Sequence, residues 1–454
     1  MTQAIGFEPR RYLEALDDID PLRYEGRVVR VIGLTIEAEG LACEVGEVCL
    51  VHSGPGEAAI KAEVVGFTRE RVVLMPLGDM LGIRPGSRVL STGHDLELRA
   101  GRALLGRVLD GLGQPIDGLG PLEGSKKLIL AGRPPDPLTR SLIIETLPTG
   151  VRALDGVLTC GQGQRIGLFA GSGVGKSVLL GMIARNIQAD VNVIALIGER
   201  GREVREFIEH DLGTEGLARS VVIVSTSDQP ALVRVKGAWV ATAIAEAFRE
   251  EGLHVNFMMD SVTRFAMAQR EIGLAIGEPP AARAYPPSVF ALLPRLLERL
   301  GTSDRGSITG FYTVLVEADD MNEPIADAVR AILDGHVVLS RDLASQGHYP
   351  AIDVLQSVSR LMSSVTTPAH QAAARRIKEM MAIYNDARDL INIGAYLRGS
   401  DPRIDLAISA NPKIEAFLRQ APDEQASFDD TLVLLNRIAA EIEADALRIE
   451  RNAA

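Results

Sequence analysis

The chain has 454 residues, of which 46% are hydrophobic and 24% charged, and its formal net charge is −12. At roughly 100 to 200 residues per domain, this length predicts a folded protein of about two to four domains. The acidic balance argues against a protein that binds nucleic acid, because neutralisation of phosphates by basic residues supplies most of that affinity.

The cysteines and the apolar runs indicate where such a protein would work. Cys43, Cys49 and Cys160 are the three cysteines, and they fit neither a zinc-binding spacing nor a disulfide framework, so we expect reduced thiols in a cytosolic protein. No run approaches the ~18 apolar residues of a transmembrane helix, and the first residues lack the apolar stretch of a signal peptide. Any contact with a membrane is therefore expected to be peripheral.

The first two segments of the chain differ in composition. Residues 1–25 are polar and charged and contain RRYLEALDDI, which could form a short amphipathic helix. We interpret them as a docking arm; the alternative is a frayed terminus. Residues 26–95 contain short runs rich in valine and isoleucine that glycine and proline interrupt at close intervals. This pattern is typical of an antiparallel β-barrel or sandwich, and we predict a small barrel.

The rest of the chain first alternates between strand and helix patterns and then becomes helical. From about residue 145 to 345, apolar strands are separated by helical stretches, which predicts a parallel sheet with helices on both faces. We assign residues 96–365 to this α/β domain. Residues 366–454 keep their apolar residues at helical spacing, which predicts a helical C-terminal domain. The predicted fold class is thus an α/β core flanked by an N-terminal β-barrel and a C-terminal helical domain.

A phosphate-binding loop is predicted where the strand RIGLF and the helix SVLLGMIARNI flank AGSGVGKS. The pattern is G-x-x-x-x-G-K-[ST] except that Ala170 replaces the first glycine, which is tolerable if its φ is negative. Backbone N–H groups at such a helix start can converge on the β- and γ-phosphates, which Lys176 can also reach. The predicted ATP-binding residues of the loop are Ala170, Gly171, Ser172, Gly173, Val174, Gly175, Lys176, Ser177 and Val178.

Two acidic residues at strand ends are candidates for the chemistry that such a loop requires. Asp260 ends the apolar strand HVNFMMD, where a carboxylate can hold Mg²⁺, usually through water, while the Ser177 hydroxyl supplies a second ligand. Glu199 follows the strand NVIAL and could orient or polarise an attacking water. The alternative for Glu199 is a solvated cluster of charges, and the residues alone leave both interpretations open.

Several motifs together resemble one known family. AGSGVGKS, IGERGRE and FMMDSVTRFAMAQRE, followed by PPSVFALLPRLLER and YPAIDVLQSVSR, stand in the order found in the catalytic subunits of rotary ATPases. Within that group, VEADDMNEPIADAVRAILDGHVVLSR and LINIGAYLRGSDPRIDLAI are most similar to the type III export ATPases, and in particular to the flagellar protein-export ATPases. The resemblance extends from about residue 26 to the C-terminus and implies a RecA-like P-loop NTPase core. Alanine at the position of Ala170 is usual in that family.

The resemblance also implies roles for individual residues. Lys176 and Ser177 resemble the phosphate lysine and the magnesium ligand, and Glu199 the catalytic glutamate. Arg360 resembles an arginine finger that reaches into a neighbouring subunit's site; the alternative is a surface salt-bridge partner. Tyr349 resembles the aromatic residue that stacks on adenine, although a tyrosine beside a proline is more often mere packing. Further implied residues are Arg200 near the phosphates, Asp260 as the strand-end aspartate and Arg264 on the γ-phosphate side.

The function implied by the resemblance is Mg²⁺-dependent ATP hydrolysis in a homo-oligomer, with a hexamer expected, at the flagellar export apparatus. The implied partners are a stator-like regulator bound to the N-terminal arm, a central-stalk export protein, membrane proteins of the export gate and chaperone–substrate complexes. The implied location is cytoplasmic, peripherally associated with the inner membrane. No nucleic-acid partner is expected.

Four other functions remain as alternatives. An injectisome ATPase would have the same hydrolytic residues. A rotary synthase or pump subunit is disfavoured, because residues 381–405 are less acidic than the turn that engages a membrane rotor. A hexameric nucleic-acid translocase is disfavoured because Phe67 is the only aromatic residue in 26–95, which leaves little surface for base stacking. An assembly factor without turnover is disfavoured by the presence of every catalytic residue type.

Overall fold

The computed structural model describes residues 24–54, 57–123, 126–128, 130–316 and 320–453. The predicted docking arm, residues 1–25, therefore lies outside the described residues except for its last two positions. None of the helices in the described part of the chain has the length and apolar content that crossing a bilayer requires. The described residues form two compact units: one runs up to Leu96 and includes Ala275–Gly277, and the other comprises the remainder from Glu97.

The first unit contains a closed barrel, which confirms the predicted barrel. Its strands are β1 (Glu25–Ile32), β2 (Thr35–Glu39), β3 (Val48–His52), β4 (Ile60–Thr68), β5 (Arg71–Pro76) and β6 (Arg88–Ser91). They pair in the order β1-β2-β5-β4-β3-β6, and β6 pairs back to β1, so that these strands leave no open edge. Alternate side chains such as Ile36 and Ala38 on β2 point inward and form an apolar core with Cys49. All three cysteines are free thiols, as predicted.

The second unit is built on a mainly parallel sheet. The strands of this unit are β7 (Leu98–Ala100), β8 (Val108–Asp110), β9 (Lys126–Leu128), β10 (Arg165–Ala170), β11 (Val191–Ile197), β12 (Ser220–Ser225), β13 (His254–Asp260), β14 (Gly301–Thr302), β15 (Ser307–Leu315), β16 (Gly335–Leu339) and β17 (Ile352–Ser359). β7 and β9 pair with each other in a separate antiparallel two-stranded sheet, and the other strands form the main sheet. The sheet order is β17-β16-β10-β15-β13-β11-β12-β8, with β14 paired to β15. Of these pairings, β16–β17 and β14–β15 are antiparallel and the others parallel.

Helices follow most of these strands. The helices that precede the last strand, β17, in the sequence are α1 (Arg152–Val157), α2 (Lys176–Asn186), α3 (Gly201–Glu206), α4 (Gly213–Ala218), α5 (Ala231–Glu250), α6 (Val262–Ala275), α7 (Pro287–Leu297), α8 (Pro324–Ile332) and α9 (Arg341–Ser345). The helices that follow β17 are α10 (Met362–Val365), α11 (Pro368–Asn392), α12 (Pro402–Leu418) and α13 (Phe428–Ala453). A π-helical segment, Phe207–Leu212, joins α3 to α4, and 3₁₀ turns occupy Arg102–Leu104 and Ala282–Ala284.

The C-terminal helices share an apolar core with the sheet. Ile377 on α11, Phe417 on α12 and Ile438 on α13 are buried in the same cluster as Leu168 of β10. The strand-free stretch that the sequence predicted after residue 365 is therefore helical. The boundaries predicted for separate domains, at 95 and at 365, stay predictions.

The parallel strands place three sequence motifs at one edge of the sheet. In the register of the sheet, Ala170 at the end of β10 pairs with Leu315 and Leu339, and Leu196 of β11 pairs with Asp260 at the end of β13. Because parallel strands end at a common edge, the segments that follow β10 and β11 emerge beside Asp260. The fold thus brings the glycine-rich loop, Glu199 and Asp260 to one place.

A buried ion pair in the second unit provides a test of stability. Arg299 is 1% exposed, its Nε lies 2.8 Å from Glu246 Oε1, and its guanidinium lies over the Trp239 ring at 5.5 Å. Replacing Glu246 with alanine would leave a buried cation without its counter-charge, which typically destabilises by about 3–5 kcal/mol. We expect urea unfolding to show a free energy of unfolding lower by this amount. Replacing Glu97, whose partner Lys127 is 67% exposed, with alanine should change the free energy of unfolding little. Equal decreases in both variants would contradict the conclusion that the pair of Arg299 and Glu246 is a buried, stabilising contact.

Candidate active site

The glycine-rich loop has the backbone conformation that its sequence predicted. Gly173 and Gly175 have φ values of 79° and 87°, in the left-handed region that side chains with a Cβ rarely adopt. Ala170 has a φ outside that region and is 1% exposed, so its methyl group meets the condition for replacing glycine. The helix α2 starts at Lys176 directly after the loop, and its first backbone N–H groups are available to an anion.

The loop opens into a cleft of about 1130 Å³. Of the predicted loop residues, 170–173 and 175–178 line it, whereas Val174 points into the apolar core and is 2% exposed. Among the described residues that line this cleft, six are basic and three acidic: Lys176, Arg200, Arg264, Arg270, Arg283 and Arg341 against Glu199, Glu203 and Glu323. A basic cleft in an acidic chain attracts a polyanion such as a nucleoside triphosphate.

Lys176 lies between two carboxylates at the base of the cleft. Its Nζ is 2.5 Å from Asp260 Oδ1 and 3.7 Å from Glu199 Oε1. Asp260 is 4% exposed, and Thr313 on the neighbouring strand β15 donates a hydrogen bond of 2.7 Å to the same oxygen. The structure brings together these three predicted charged residues, whose roles stay predictions, and adds Thr313, which the sequence analysis did not include.

The cluster shifts the protonation of its members in opposite ways. Burial, and then the nearby charge of Asp260, raise the pKa of Glu199 to about 7. Burial alone would lower the pKa of Lys176, but the carboxylates of Asp260 and Glu199 outweigh it, and the pKa of the lysine is raised. At neutral pH the ammonium group is therefore charged, and Glu199 is close to the midpoint at which it can both accept and release a proton.

The donors around the loop fit a magnesium ion that arrives with phosphates. Within the described residues, no cluster of three or more histidine, cysteine or acidic side chains could hold a metal by itself. Mg²⁺ needs no such cluster, because it keeps several waters and is held by one or two carboxylates together with substrate phosphates. Ser177 at the start of α2 and Asp260 at the end of β13 are suited to supply these few protein ligands.

Two of the predicted arginines also lie at the cleft. Arg200 lines it with a side chain that is 80% exposed and paired to Glu203 at 3.3 Å. The side chain of Arg264 packs closely on Gly198 in the loop after β11. A Cβ added to Gly198 would lie only 2.8 Å from the Cβ of Arg264. The Arg264 Nε is buried without a hydrogen-bond partner among the described residues, so this donor is left unsatisfied in the structure.

Sequence reasoning missed three further arginines that line the cleft: Arg270, Arg283 and Arg341. Arg270 lies over the ring of Tyr285 at 5.0 Å, a contact that nothing in the local sequence indicated. Arg341 follows β16, whose end pairs with Ala170 through Leu339. The position of Arg341 directly after a strand was a signal that could have identified it.

Tyr349 lies beside the loop rather than in the lining of the cleft. A Cβ built on Gly175 would be 3.3 Å from its ring atom Cε1, so the ring packs against this glycine. The side chain is 44% exposed, and the backbone oxygen of Tyr349 accepts a hydrogen bond of 3.0 Å from Gln420 on the C-terminal side. An exposed aromatic face at this position suits the base of a nucleotide whose phosphates lie in the loop.

Arg360 is at the opposite edge of the sheet from the loop. The strand β17 runs antiparallel to β16, so that Ser359 pairs with Gly335 at the start of β16, whereas the loop follows the end of β10. The backbone N–H of Arg360 donates to Asp334, and its exposed guanidinium donates to the carbonyl oxygen of Arg330 at 3.2 Å. Arg360 therefore does not line the cleft of its own chain.

Comparison with known proteins agrees with the fold. Residues 28–93 match the beta-barrel domain of the ATP synthase alpha/beta family, and residues 150–359 match its nucleotide-binding domain. Residues 366–437 match the T3SS EscN ATPase C-terminal domain. The assembled ATPase EscN of the enteropathogenic E. coli type III secretion system superimposes with a TM-score of 0.87 and 45% identity, over 91% of this chain and 100% of that one.

Two curated relatives are similar over nearly their whole length. The flagellum-specific ATP synthase of Bacillus subtilis is 54% identical over 94% of this chain and 98% of the relative. The type 3 secretion system ATPase of Xanthomonas euvesicatoria is 52% identical over 92% of this chain and 94% of the relative. Fold and site thus define a P-loop ATPase related to the alpha and beta subunits of ATP synthase. The chain belongs to the family of the type III export ATPases, which includes the flagellum-specific and the type 3 secretion enzymes.

Proposed function

We propose that this ATPase hydrolyses MgATP in a homohexameric ring of the flagellar export apparatus, at sites that two neighbouring subunits share. The observation that carries the proposal is the separation of two halves of a site on one chain. Lys176, Glu199 and Asp260 meet at one edge of the sheet, and Arg360 lies at the other. A head-to-tail ring of identical chains can bring the second half of one subunit to the first half of the next.

In the proposed mechanism, the triphosphate replaces contacts that the cleft residues make with one another. Lys176 leaves Asp260 and binds phosphate oxygens, while backbone N–H groups at the start of α2 bind the others. Ser177 and Asp260 would hold the Mg²⁺, which would neutralise charge on the phosphates. Glu199 orients the attacking water and accepts its proton, for which a pKa of about 7 is suited.

Two residues complete the proposed site from the outside. The ring of Tyr349, which packs on Gly175, stacks on the adenine. Arg360 of the neighbouring subunit donates its guanidinium to the oxygens of the γ-phosphate as negative charge moves onto them. Arg200 and Arg264 neutralise the phosphates from within the subunit, in keeping with their places in the cleft lining.

The direct test is the dependence of turnover on assembly. The purified chain should show specific ATPase activity that rises with protein concentration in parallel with the fraction of hexamer seen by native mass spectrometry. Addition of RNA or DNA should not stimulate it. Constant specific activity at concentrations well below those of ring formation would contradict the shared site.

The proposed cellular role is the release of export substrates from chaperones and their delivery to the gate. A solved relative has been described in complex with its central stalk EscO, and we propose an equivalent stalk protein for this chain. The other proposed partners are a stator-like regulator at residues 1–25, the export-gate membrane proteins and chaperone–substrate complexes, at the cytoplasmic side of the inner membrane.

Deletion of the gene in the native host should abolish the growth of flagellar filaments. Normal motility with loss of effector secretion would instead favour a role in the injectisome. The identity of 52% to a type 3 secretion system ATPase is the observation that keeps this second candidate.

The raised pKa of Glu199 predicts a pH dependence of activity. A general base acts in its deprotonated form, so kcat/KM should rise as the pH increases through about 7 and then level off. The measurement is kcat/KM for ATP between about pH 5 and 9, roughly two units to either side of this pKa. The residual activity of Glu199→Gln should lack the inflection. Retention of the same inflection by that variant would assign it to another group.

A further inference from the structure

Thr313 is a buried polar residue in the middle of the central sheet. It lies on β15, between the strand that leads into the phosphate loop and the strand that ends in Asp260. Its side chain is 0% exposed, and its Oγ1 lies 2.7 Å from Asp260 Oδ1 and 3.2 Å from the carbonyl oxygen of Met259. A hydroxyl has one proton to donate, and the shorter contact to a charged acceptor is the stronger one.

The same carboxylate oxygen accepts from a second donor, Lys176. Lys176 Nζ lies 2.5 Å from Asp260 Oδ1. When a triphosphate occupies the loop, this lysine turns to the phosphates in the proposed mechanism, so Asp260 loses the lysine as a donor when the metal arrives. Thr313 cannot leave in the same way, because its strand is paired on both sides, to β10 at Leu168 and to β13.

We propose that Thr313 is a positioning residue for the magnesium site. By holding Oδ1 of Asp260 after Lys176 has left, it would keep the carboxylate in the orientation in which Asp260 would hold the metal. Groups that hydrogen-bond to a metal-binding carboxylate in this way typically contribute about 10- to 100-fold to metal affinity. The inference rests on the proposed function, since it takes Asp260 as the partner of Mg²⁺.

The test measures magnesium binding without turnover. A fluorescent ADP analogue is bound to the full-length protein, and Mg²⁺ is titrated to find the concentration of half-maximal response. Thr313→Val, which keeps the shape and removes the hydroxyl, should raise this concentration about 10- to 100-fold and leave the metal-free affinity for the analogue unchanged. Thr313→Ser, which keeps the hydroxyl, should restore a response close to wild type.

Two comparisons make the result decisive. A Thr313→Val protein with the wild-type Mg²⁺ response would overturn the inference; should this variant not keep the wild-type circular dichroism spectrum, Thr313→Ala carries the same prediction. Asp260→Asn is titrated in parallel. If Asp260→Asn shifts the Mg²⁺ response and the Thr313 variants do not, only the role of Thr313 fails. If Asp260→Asn also leaves it unchanged, the magnesium assignment of the proposed function fails.

Discussion

Replacing Glu199 with glutamine is expected to lower kcat for ATP hydrolysis by about 10²- to 10⁴-fold, the range that general-base catalysis contributes. Glutamine keeps the size of the side chain and can still hydrogen-bond a water, but it cannot accept the proton. The affinity for ATP should change far less, because Lys176, 3.7 Å away, remains to bind the phosphates. Steady-state kinetics together with equilibrium binding of a non-hydrolysable analogue measure this difference.

Glu206 offers a matched control for that substitution. It lies on α3 shortly after Glu199, its side chain is 52% exposed, and it pairs with Arg202 on its own helix turn. Glu206→Gln should therefore turn over ATP at the wild-type rate. Undiminished turnover in Glu199→Gln would remove Glu199 from the mechanism, and a parallel loss of binding and turnover would assign it to binding instead.

Removal of the Arg360 guanidinium is the second change with a large expected effect. Arg360→Ala should lower kcat by about 10³- to 10⁵-fold at concentrations where the ring forms, which is the usual contribution of an arginine finger. Arg360→Lys should recover only part of the rate, since an ammonium group cannot make the forked contact of a guanidinium. The measurement is single-turnover hydrolysis, with native mass spectrometry to show that each variant still assembles.

An exposed arginine at the same edge of the sheet serves as the control for Arg360. Arg305 lies just before the start of β15, at the edge where β16 also begins. Arg305→Ala should keep wild-type turnover and assembly. A wild-type rate in assembled Arg360→Ala would show that the site does not use this residue, and loss of assembly together with activity would make it an interface residue only.

The features that the sequence predicted well are those set by local pattern and by the geometry of parallel strands. The loop after β10 carries its glycines at the positions that need a positive φ, Gly173 and Gly175. Asp260 and Glu199 were identifiable because each follows an apolar strand, and strands of one parallel sheet end at the same edge. The barrel followed from short β-branched runs broken at close intervals, as its six described strands show.

The features that escaped prediction depend on which strands are neighbours and in which register. Thr313 is one of two threonines in the largely apolar strand β15, and its contact with Asp260 exists only because β15 lies between β10 and β13. The place of Arg360 depends on β17 running antiparallel to β16, whereas alternating strands and helices predict parallel neighbours. Arg270 and Arg283 reach the cleft from segments distant in sequence from the loop, and no local pattern indicates such an approach.

Mixing two inactive variants tests the shared site most directly. Lys176→Ala chains lack the phosphate lysine, and Arg360→Ala chains lack the guanidinium, so each homomeric ring should be inactive. In a mixed ring, some sites join the intact loop of an Arg360→Ala subunit to the intact Arg360 of a Lys176→Ala subunit. The account predicts that the mixture recovers part of the wild-type ATPase activity, with a maximum near equal amounts. A mixture that assembles into mixed hexamers and stays as inactive as its components would contradict it.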